Sequence, residues 1–310
     1  MPSETRSIEL WTSAAIDTEC RSAYRVYEKR LIEHYSAYYE RHSNLRSSRH
    51  VYSARSLSAA LPDGYGALQQ LISPKSVHVH ARSARSSQWL ALALLGAAAH
   101  RDPSLSWFWR ALGVPHDVCE ATHCIFERTL DPGDLNERPR VSQVDFVADT
   151  SRYVATVECK WSEAGFGNCS CEREGEGNPG VGGACADRVI AREKYWQTAH
   201  EVFGLPSERL ASRGCPISSS YQSIRMAAAC RAIAGKHRQA IFVLLFDARN
   251  PYFRRTGAWP GWPTVLHQSM GSNQEHPQFS FKAISWQDLI PRIPLSPRVR
   301  EWALEKHRLG

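Results

Sequence analysis

The sequence lacks any apolar run long enough to cross a bilayer. Its longest candidate, WLALALLGAAA from Trp89, is well short of the roughly 18 residues that a transmembrane helix needs, and it suits a buried helix instead. The N-terminus, MPSETRSIELW, also lacks the basic start, apolar middle and small-residue cleavage site of a secretory signal. We therefore expect a soluble cytoplasmic protein without a membrane partner.

Regular cysteine spacing is absent as well. The nine cysteines are an odd number in a chain of 310 residues, which can bury a core without covalent staples, so a disulfide framework is not expected. Four of them belong to a glycine-rich stretch and its continuation, called here the cysteine loop: Cys169, Cys171, Cys185 and Cys215. Their C-x-C spacing fits structural zinc and iron-sulfur sites poorly, so free thiols are favoured over Zn or an Fe-S cluster.

Acidic residues are scarce in one part of the chain. Residues 41–101 hold eight Lys or Arg against the single acid Asp63, and the rest of the chain balances at 30 basic and 30 acidic residues, which accounts for the net charge of +7. The eight are Arg41, Arg46, Arg49, Arg55, Lys75, Arg82, Arg85 and Arg101. Such an excess fits a surface that binds a polyanion, and a solvated arginine-rich face explains it equally well.

The first part of the chain carries helical patterns. Tyrosines and other apolar residues recur every three or four positions from Thr18 to about His42, which predicts an amphipathic helix with its tyrosines in the core. A Ser- and Arg-rich segment of loops and short helical pieces follows. Ser86 or Ser87 then caps a strongly apolar helix predicted to end near Gly96.

The second part alternates strands and helices. Turn-forming DPGDLNERP and DTS separate three strand candidates, which predicts an antiparallel meander. An unbroken apolar run predicts a further strand covered on both faces. The predicted strands are 122–130, 142–149, 152–161 and 240–248, and the predicted helices are 186–202, 218–234 and 296–308. This order indicates an α/β fold with one central mixed sheet flanked by helices.

Three charged residues interrupt these apolar strands. Asp145 lies on the second strand of the meander, and Glu158 and Lys160 lie on one face of the third, about 7 Å apart along the strand. Two carboxylates from neighbouring strands offer hard oxygen ligands for Mg²⁺, and a nearby lysine can orient water and stabilise charge on phosphorus oxygens. The pattern predicts a metal-dependent phosphodiester hydrolysis site, with a simple interstrand ion pair as the alternative.

This arrangement resembles the PD-(D/E)xK nuclease superfamily, which has the restriction-endonuclease-like fold. The resemblance covers roughly residues 84–250, with a helical, basic N-terminal region at 1–83 and a C-terminal extension at 251–310 that packs on this core. More narrowly, the chain is similar to uncharacterised bacterial restriction endonucleases. The matching features are Ser86-Ser87-Gln88 at the core helix, Glu127 on the first strand, and YQSIR from Tyr221.

The resemblance implies roles for individual residues. Asp145 and Glu158 would bind Mg²⁺ or Mn²⁺ together with the backbone carbonyl of Cys159, and Lys160 would position the attacking water. Glu127 is either a further ligand or a solvent-facing residue, with equal support. Gln88 and Gln222 are weaker candidates, because helix-cap or surface positions explain them as well. Candidate nucleic-acid contacts are Gln88, Arg46, Arg49, Arg55, Arg82 and Arg85.

Three functions remain open from the sequence. The favoured one is a Mg²⁺-dependent nuclease that hydrolyses DNA in restriction or phage defence in a bacterial cytoplasm. Cleavage of both strands is compatible with a homodimer. The second is a catalytically silent nuclease-fold module that binds DNA and uses the three charges as a structural ion pair. The third is a metal-binding interaction protein built around the cysteine loop.

Overall fold

Five strands form one mixed sheet at the centre of the molecule. The computed structural model describes residues 18–49, 52–115, 123–135, 141–165, 201–202, 221–253 and 278–309. The strands are β1 (His123–Thr129), β2 (Gln143–Asp149), β3 (Tyr153–Lys160), β4 (Gln239–Phe246) and β5 (Phe279–Ser285), and this is also their order in the sheet. β1, β2 and β3 pair antiparallel, whereas β4 is parallel to both β3 and β5. The predicted meander and the predicted α/β fold with a mixed sheet are confirmed.

Helices lie before, between and after these strands. The described α-helices are α1 (Thr18–Arg41), α2 (Ser87–Ala91), α3 (Ala97–Arg101), α4 (Ser106–Ala111), α5 (Pro132–Leu135), α6 (Tyr221–Ala234), α7 (Trp286–Leu289) and α8 (Pro297–His307). Short 3₁₀ helices lie at Ser43–Leu45, Ser58–Ala60, Gly66–Leu71, Pro74–Ser76, Pro251–Phe253 and Ile290–Arg292. No helix in these described ranges is long and apolar enough to cross a membrane.

The turn between β2 and β3 forms as its residues predict. The Thr150 hydroxyl accepts hydrogen bonds from the backbone N–H groups of Arg152, at 3.2 Å, and Tyr153, at 2.9 Å. The Thr150 N–H also donates to the Tyr153 carbonyl at 2.8 Å. A hydroxyl that satisfies turn backbone groups in this way stabilises the tight connection, and it sets the register of the two strands.

Side chains of β3 alternate between two hydrophobic cores. Ala155, Val157 and Cys159 join a core with α1, α2, α4 and α8, while Val154 joins a second core with α6. Both cores are closed to solvent, so β3 and β4 are buried on both faces, as expected for strands within a covered sheet. Residues Thr156, Glu158 and Lys160 alternate onto the α6 side together with Val154.

The core helix extends further than predicted. Ser86 caps it, and its hydroxyl accepts a hydrogen bond from the Trp89 N–H at 3.2 Å. The predicted end near Gly96 is wrong, because the chain passes through a π-helical turn at Leu92–Gly96 directly into α3. A glycine inside a helix costs only about 1 kcal/mol relative to alanine. Burial of the apolar residues that follow it outweighs this cost.

One strand escaped prediction, and some predictions lie outside the described residues. β5 is not among the strands predicted from the sequence. Its alternating Phe279 and Phe281 are nevertheless typical of a strand. α1, α6 and α8 agree with their predicted helices within the described ranges. The cysteine loop and most of the predicted helix 186–202 lie outside the described residues.

Candidate active site

Three carboxylates lie in one row across three adjacent strands. In the β1–β2 pairing, Glu127 and Asp145 fall opposite each other, because the paired residues on either side are Phe126 with Phe146 and Arg128 with Val144. In the β2–β3 pairing, Phe146 with Val157 is the last pair, and the next step along the same register joins Asp145 to Glu158. Regular pairing is interrupted at this row, so the carboxylates occupy a local opening of the ladder.

The backbone of Glu127 is strained at this position. Its φ is 51°, in the left-handed region that residues with a side chain rarely adopt. The side chain is buried, with 9% of its surface exposed. Such strain persists only where surrounding structure enforces it, and it is concentrated at functional sites.

Asp145 is held against the backbone of β3. One of its carboxylate oxygens, Oδ2, accepts a hydrogen bond from the Cys159 N–H at 2.7 Å. This contact holds the half-buried carboxylate toward the third strand. The Cys159 thiol is free and buried in the core, where it packs as a small apolar group.

Glu158, Lys160 and Gln222 form a closed triangle. The ammonium Nζ of Lys160 lies 2.9 Å from Glu158 Oε1 and donates to Gln222 Oε1 at 2.8 Å. The Gln222 amide Nε2 donates in turn to Glu158 Oε1 at 2.5 Å. Because Gln222 is at the start of α6, this helix places a neutral hydrogen-bonding group on a buried ion pair.

Burial raises the pKa of all three carboxyl groups, and repulsion by neighbouring acids adds to this effect. The pKa of Asp145 is well above its usual value because of burial and then the charges of Glu158 and Glu127. Burial, helped by Glu158 and opposed by a hydrogen bond from Gln88, raises the pKa of Glu127 to about 7. Burial also raises the pKa of Glu158, although Lys160 opposes this shift. Three ionised carboxylates in this space therefore need a compensating cation.

Lys160 supplies a permanent positive charge to the site. Burial by itself lowers its pKa, but the negative charges of Glu158 and Glu163 outweigh burial and hold the pKa above the ordinary lysine value. A protonated ammonium donates hydrogen bonds and cannot accept a proton. Lys160 is therefore suited to orienting a water or hydroxide and to stabilising anionic oxygens.

The match to known families covers this whole site. A family model described as restriction endonuclease associating with ARP matches residues 65–305, more than half of the chain. The chain belongs to this family. It matches no curated protein and no solved structure. The restriction-endonuclease-like family usually uses a divalent metal, and a nuclease family has DNA as its substrate.

The expected metal ligands in this restriction-endonuclease family member are two carboxylates and one carbonyl. Among the residues that the structure describes, no group of three or more His, Cys, Asp and Glu side chains lies close enough to hold a metal ion. The set expected from the resemblance has only Asp145 and Glu158 as side-chain ligands, with the Cys159 carbonyl as the third donor. Hard oxygen donors whose repulsion raises their own pKa fit a divalent cation such as Mg²⁺.

Gln88 is neither a helix cap nor a surface residue in this family member. It is buried, and its Oε1 accepts a hydrogen bond from the His78 N–H at 2.9 Å. Its Nε2 donates to the Ser76 carbonyl at 2.9 Å, and the side chain lies close enough to the Glu127 carboxyl group to lower its pKa. Gln88 thus connects a surface loop to the carboxylate row.

The arginines proposed to contact nucleic acid differ in their surroundings. Two isolated bridges, Arg46 with Ala54 and Ser53 with Ser83, gather Arg46, Arg55 and Arg82, and the Arg82 guanidinium donates to the Arg55 carbonyl at 3.3 Å. Arg85 instead donates to the Glu28 carboxylate at 2.6 Å and to the Ser162 hydroxyl at 3.2 Å. Arg49 is exposed.

Two acids near the end of β3 were missed or undervalued. The Glu163 carboxylate accepts a hydrogen bond from the Trp161 N–H at 2.5 Å. Asp247 is fully buried and accepts two hydrogen bonds from Nε and Nη2 of Arg249, both at 2.9 Å. The position of Asp247 directly after an apolar strand could have identified it from the sequence. Polar groups at the carboxyl ends of parallel strands often lie beside ligand-binding sites.

Proposed function

We propose that this protein is a Mg²⁺- or Mn²⁺-dependent nuclease that hydrolyses DNA phosphodiester bonds, acting in restriction or phage defence. The observation that carries the proposal is the row of Glu127, Asp145 and Glu158 across three strands, with a protonated Lys160 hydrogen-bonded beside it. Burying several carboxylates that repel one another lowers the stability of the fold, even beside a cation. A contribution to stability therefore does not explain this row. The row beside its cation is an arrangement suited to metal-assisted phosphodiester hydrolysis.

Each residue of the site has a defined role in this proposal. Asp145, Glu158 and the Cys159 carbonyl would hold the metal ion, which supplies a Lewis acid that lowers the pKa of water and neutralises phosphate charge. Lys160 orients the attacking water or hydroxide and donates to the oxygens that become more negative in the transition state. Gln222 positions Lys160 and Glu158, while Glu127 completes the ligand set directly or through water.

The basic residues provide the complementary contact to DNA. Arg46, Arg55 and Arg82 are gathered by backbone bridges and share a region with one acidic residue, Asp63. Asp63 is itself paired with Arg298 at 2.6 Å. Phosphate contacts by these arginines would release counterions, so binding should weaken steeply with added salt.

A catalytically silent DNA-binding module is the second candidate. The closed triangle of Glu158, Lys160 and Gln222 favours it, because each of these side chains already has a hydrogen-bonding partner without a metal or water. The two functions share the same DNA-binding surface. They differ only in whether the site hydrolyses the bound strand.

Plasmid cleavage separates the two candidates. Purified protein is incubated with supercoiled plasmid and linear duplex in Mg²⁺, Mn²⁺ or EDTA, beside Lys160→Ala and Asp145→Asn. Asp149→Asn is the matched control, because Asp149 lies on the same strand as Asp145 but pairs with Arg238 at 3.2 Å. Metal-dependent cutting by wild type and control, lost in both site variants, supports the nuclease. DNA binding without cutting by any protein would favour the silent module.

A further inference from the structure

A groove lies between the 3₁₀ helix Gly66–Leu71 and the loop of residues 74–82. It has a volume of about 700 Å³, and we call it the Val79 groove. Its walls combine apolar side chains with two amides and a cation, among them Leu57, Ile72, Val77, Gln69, Gln70 and Arg82. Mostly apolar walls with a few polar groups are typical of pockets that bind small molecules.

Val79 exposes an apolar side chain at the rim of this groove. It is 82% exposed, the largest value among the exposed large hydrophobic residues that the structure describes. The loop that carries it is nevertheless well fixed. The His80 N–H donates to His78 Nδ1 at 3.2 Å, and the two imidazole rings lie 5.4 Å apart. An exposed apolar side chain beside a preformed groove is a feature of binding surfaces.

The Val79 groove is connected to the candidate active site through Gln88. The buried side chain of Gln88 accepts a hydrogen bond from the backbone N–H of His78, which lines the groove, and it lies beside the carboxyl group of Glu127, which belongs to the carboxylate row. The connection involves no flexible surface side chain. A ligand in the groove therefore lies at a fixed place relative to the site.

The charge around the groove favours an anionic ligand. Arg82 lines the groove, and its guanidinium is hydrogen-bonded to the backbone of Arg55. Lys75 is exposed on the same loop. Asp63 is the single acid between residues 41 and 101, and its charge is offset by Arg298. Positive charge on the rim and apolar walls inside together match a nucleotide, in which a flat base is attached to phosphate.

We infer that the Val79 groove holds an unpaired base of the DNA strand that the candidate site would cut. The inference rests on the proposed function and names its substrate class as single-stranded or locally unpaired DNA. The apolar walls pack against the faces of the base, and Gln69 and Gln70 offer donors and acceptors to its edge. Arg82 and Arg55 contact the neighbouring phosphates. A base inside a duplex is stacked and paired, so it cannot enter the groove.

Binding measurements on matched variants test this inference. Fluorescence anisotropy gives the Kd for a labelled single strand and for the duplex of the same sequence, in EDTA so that metal-dependent cutting is suppressed. Val79→Asp places a negative charge at the groove. Leu71→Asp is the control, because Leu71 is also an exposed apolar residue, at 49%, but does not line the groove. Thermal unfolding verifies that both exposed substitutions leave the fold intact.

The expected result is a specific loss of single-strand binding. Wild type should bind the single strand more tightly than the duplex, and Val79→Asp should raise the single-strand Kd about tenfold, the effect of losing one packed base. Leu71→Asp should change it by less than about threefold, as expected of a general charge effect. Equal effects of both variants, or tighter binding of duplex by wild type, would overturn the inference. Plasmid cleavage in Mg²⁺ distinguishes failure of the groove inference from failure of the proposed function. If wild type cuts plasmid but Val79→Asp binds the single strand as wild type does, only the groove inference is refuted.

Discussion

Gln222 has the most informative position of any single residue in the site. Its amide oxygen accepts from Lys160 and its amide nitrogen donates to Glu158, so both ends of one side chain are used on one ion pair. A side-chain amide carries both a donor and an acceptor, so it can satisfy a carboxylate and a cation at the same time. We interpret Gln222 as a positioning residue. It would hold the ammonium group of Lys160 beside the attacking water.

Replacing Gln222 with alanine should reduce catalysis more than stability. We expect Gln222→Ala to lower kcat for DNA cleavage about 10- to 100-fold, as for other residues that orient a metal site, while KM changes little. Gln278→Ala is the control. Gln278 lies outside the site, and its amide oxygen accepts a comparable hydrogen bond from Arg231 at 2.8 Å. The opposite outcome is an equal fall in kcat, together with an equal fall in unfolding temperature, in the two variants. That result would contradict a positioning role for Gln222.

At the scale of elements, the site depends on how three strands meet. Glu127, Asp145 and Glu158 belong to β1, β2 and β3, and the row forms because the antiparallel registers align them. Tyrosines of α1 support the adjacent end of β3. The Tyr24 hydroxyl donates to the Ser162 carbonyl at 2.6 Å, and the Tyr27 hydroxyl donates to Asp247 at 2.9 Å. The tyrosine face of α1 is therefore structural, as predicted.

Divalent metal should stabilise the folded protein, and more so at higher pH. The pKa of Glu127 is about 7 and that of Asp145 is raised well above its usual value, so metal binding competes with protons at low pH. Mg²⁺ or Mn²⁺ at 100 times its Kd should add about 3 kcal/mol to the free energy of unfolding. This gain should be larger at pH 8 than at pH 6.

Thermal unfolding with and without metal measures this effect without reference to activity. Asp149→Asn should keep the metal-dependent rise in unfolding temperature, and Asp145→Asn should lose it. A rise that persists in Asp145→Asn would place the metal elsewhere in the protein. A rise that is the same at pH 6 and pH 8 would exclude the carboxylate row as the ligand set.

At the scale of the whole molecule, the two ends of the described chain pack on each other and on the sheet. The Lys306 ammonium on α8 is buried, donates to the Ala60 carbonyl at 2.7 Å and lies 4.8 Å from the centre of the Trp302 ring. The Tyr35 hydroxyl on α1 accepts from Trp161 Nε1 at 2.7 Å and lies 3.0 Å from His307 Nδ1. These contacts join α1, α8 and the end of β3 into one core.

Buried Lys306 should make stability depend on pH in the alkaline range. Burial lowers its pKa from 10.5 to about 7, although the surrounding aromatic rings favour the charged form and oppose this shift. Between pH 7 and 10 the unfolded chain then binds a proton that the folded protein has lost. The Lys306 contribution to the free energy of unfolding therefore rises with pH across this window.

Urea denaturation of wild type and Lys306→Met at pH 7, 8.5 and 10 measures this contribution. The free energy of unfolding of wild type should rise relative to the variant as the pH increases, because methionine keeps the volume and has no proton to lose. Parallel pH dependence in the two proteins would show that Lys306 keeps an ordinary pKa. Leu304→Met is the control on the same helix, since Leu304 is 57% exposed.

Local patterns were sufficient to predict the three-stranded antiparallel meander that bears the carboxylates. Alternation along β3 separated Cys159 from Glu158 and Lys160, and the turn before Tyr153 predicted antiparallel pairing with β2. These features depend on neighbours within a few residues, where side-chain direction and turn chemistry follow directly from sequence. The carboxylates Asp145 and Glu158 were identified for the same reason, because charges in otherwise apolar strands are conspicuous.

Contacts between distant segments were decided only by the tertiary structure. Gln222 reaches Glu158 across 64 positions in the chain, and Gln88 meets both a surface loop and Glu127. The strained φ of Glu127 and the passage of the core helix through Gly96 are also invisible in local sequence. Periodicity reports which face of an element is buried, but packing of the whole chain decides which side chains meet there, because burial energy is not directional.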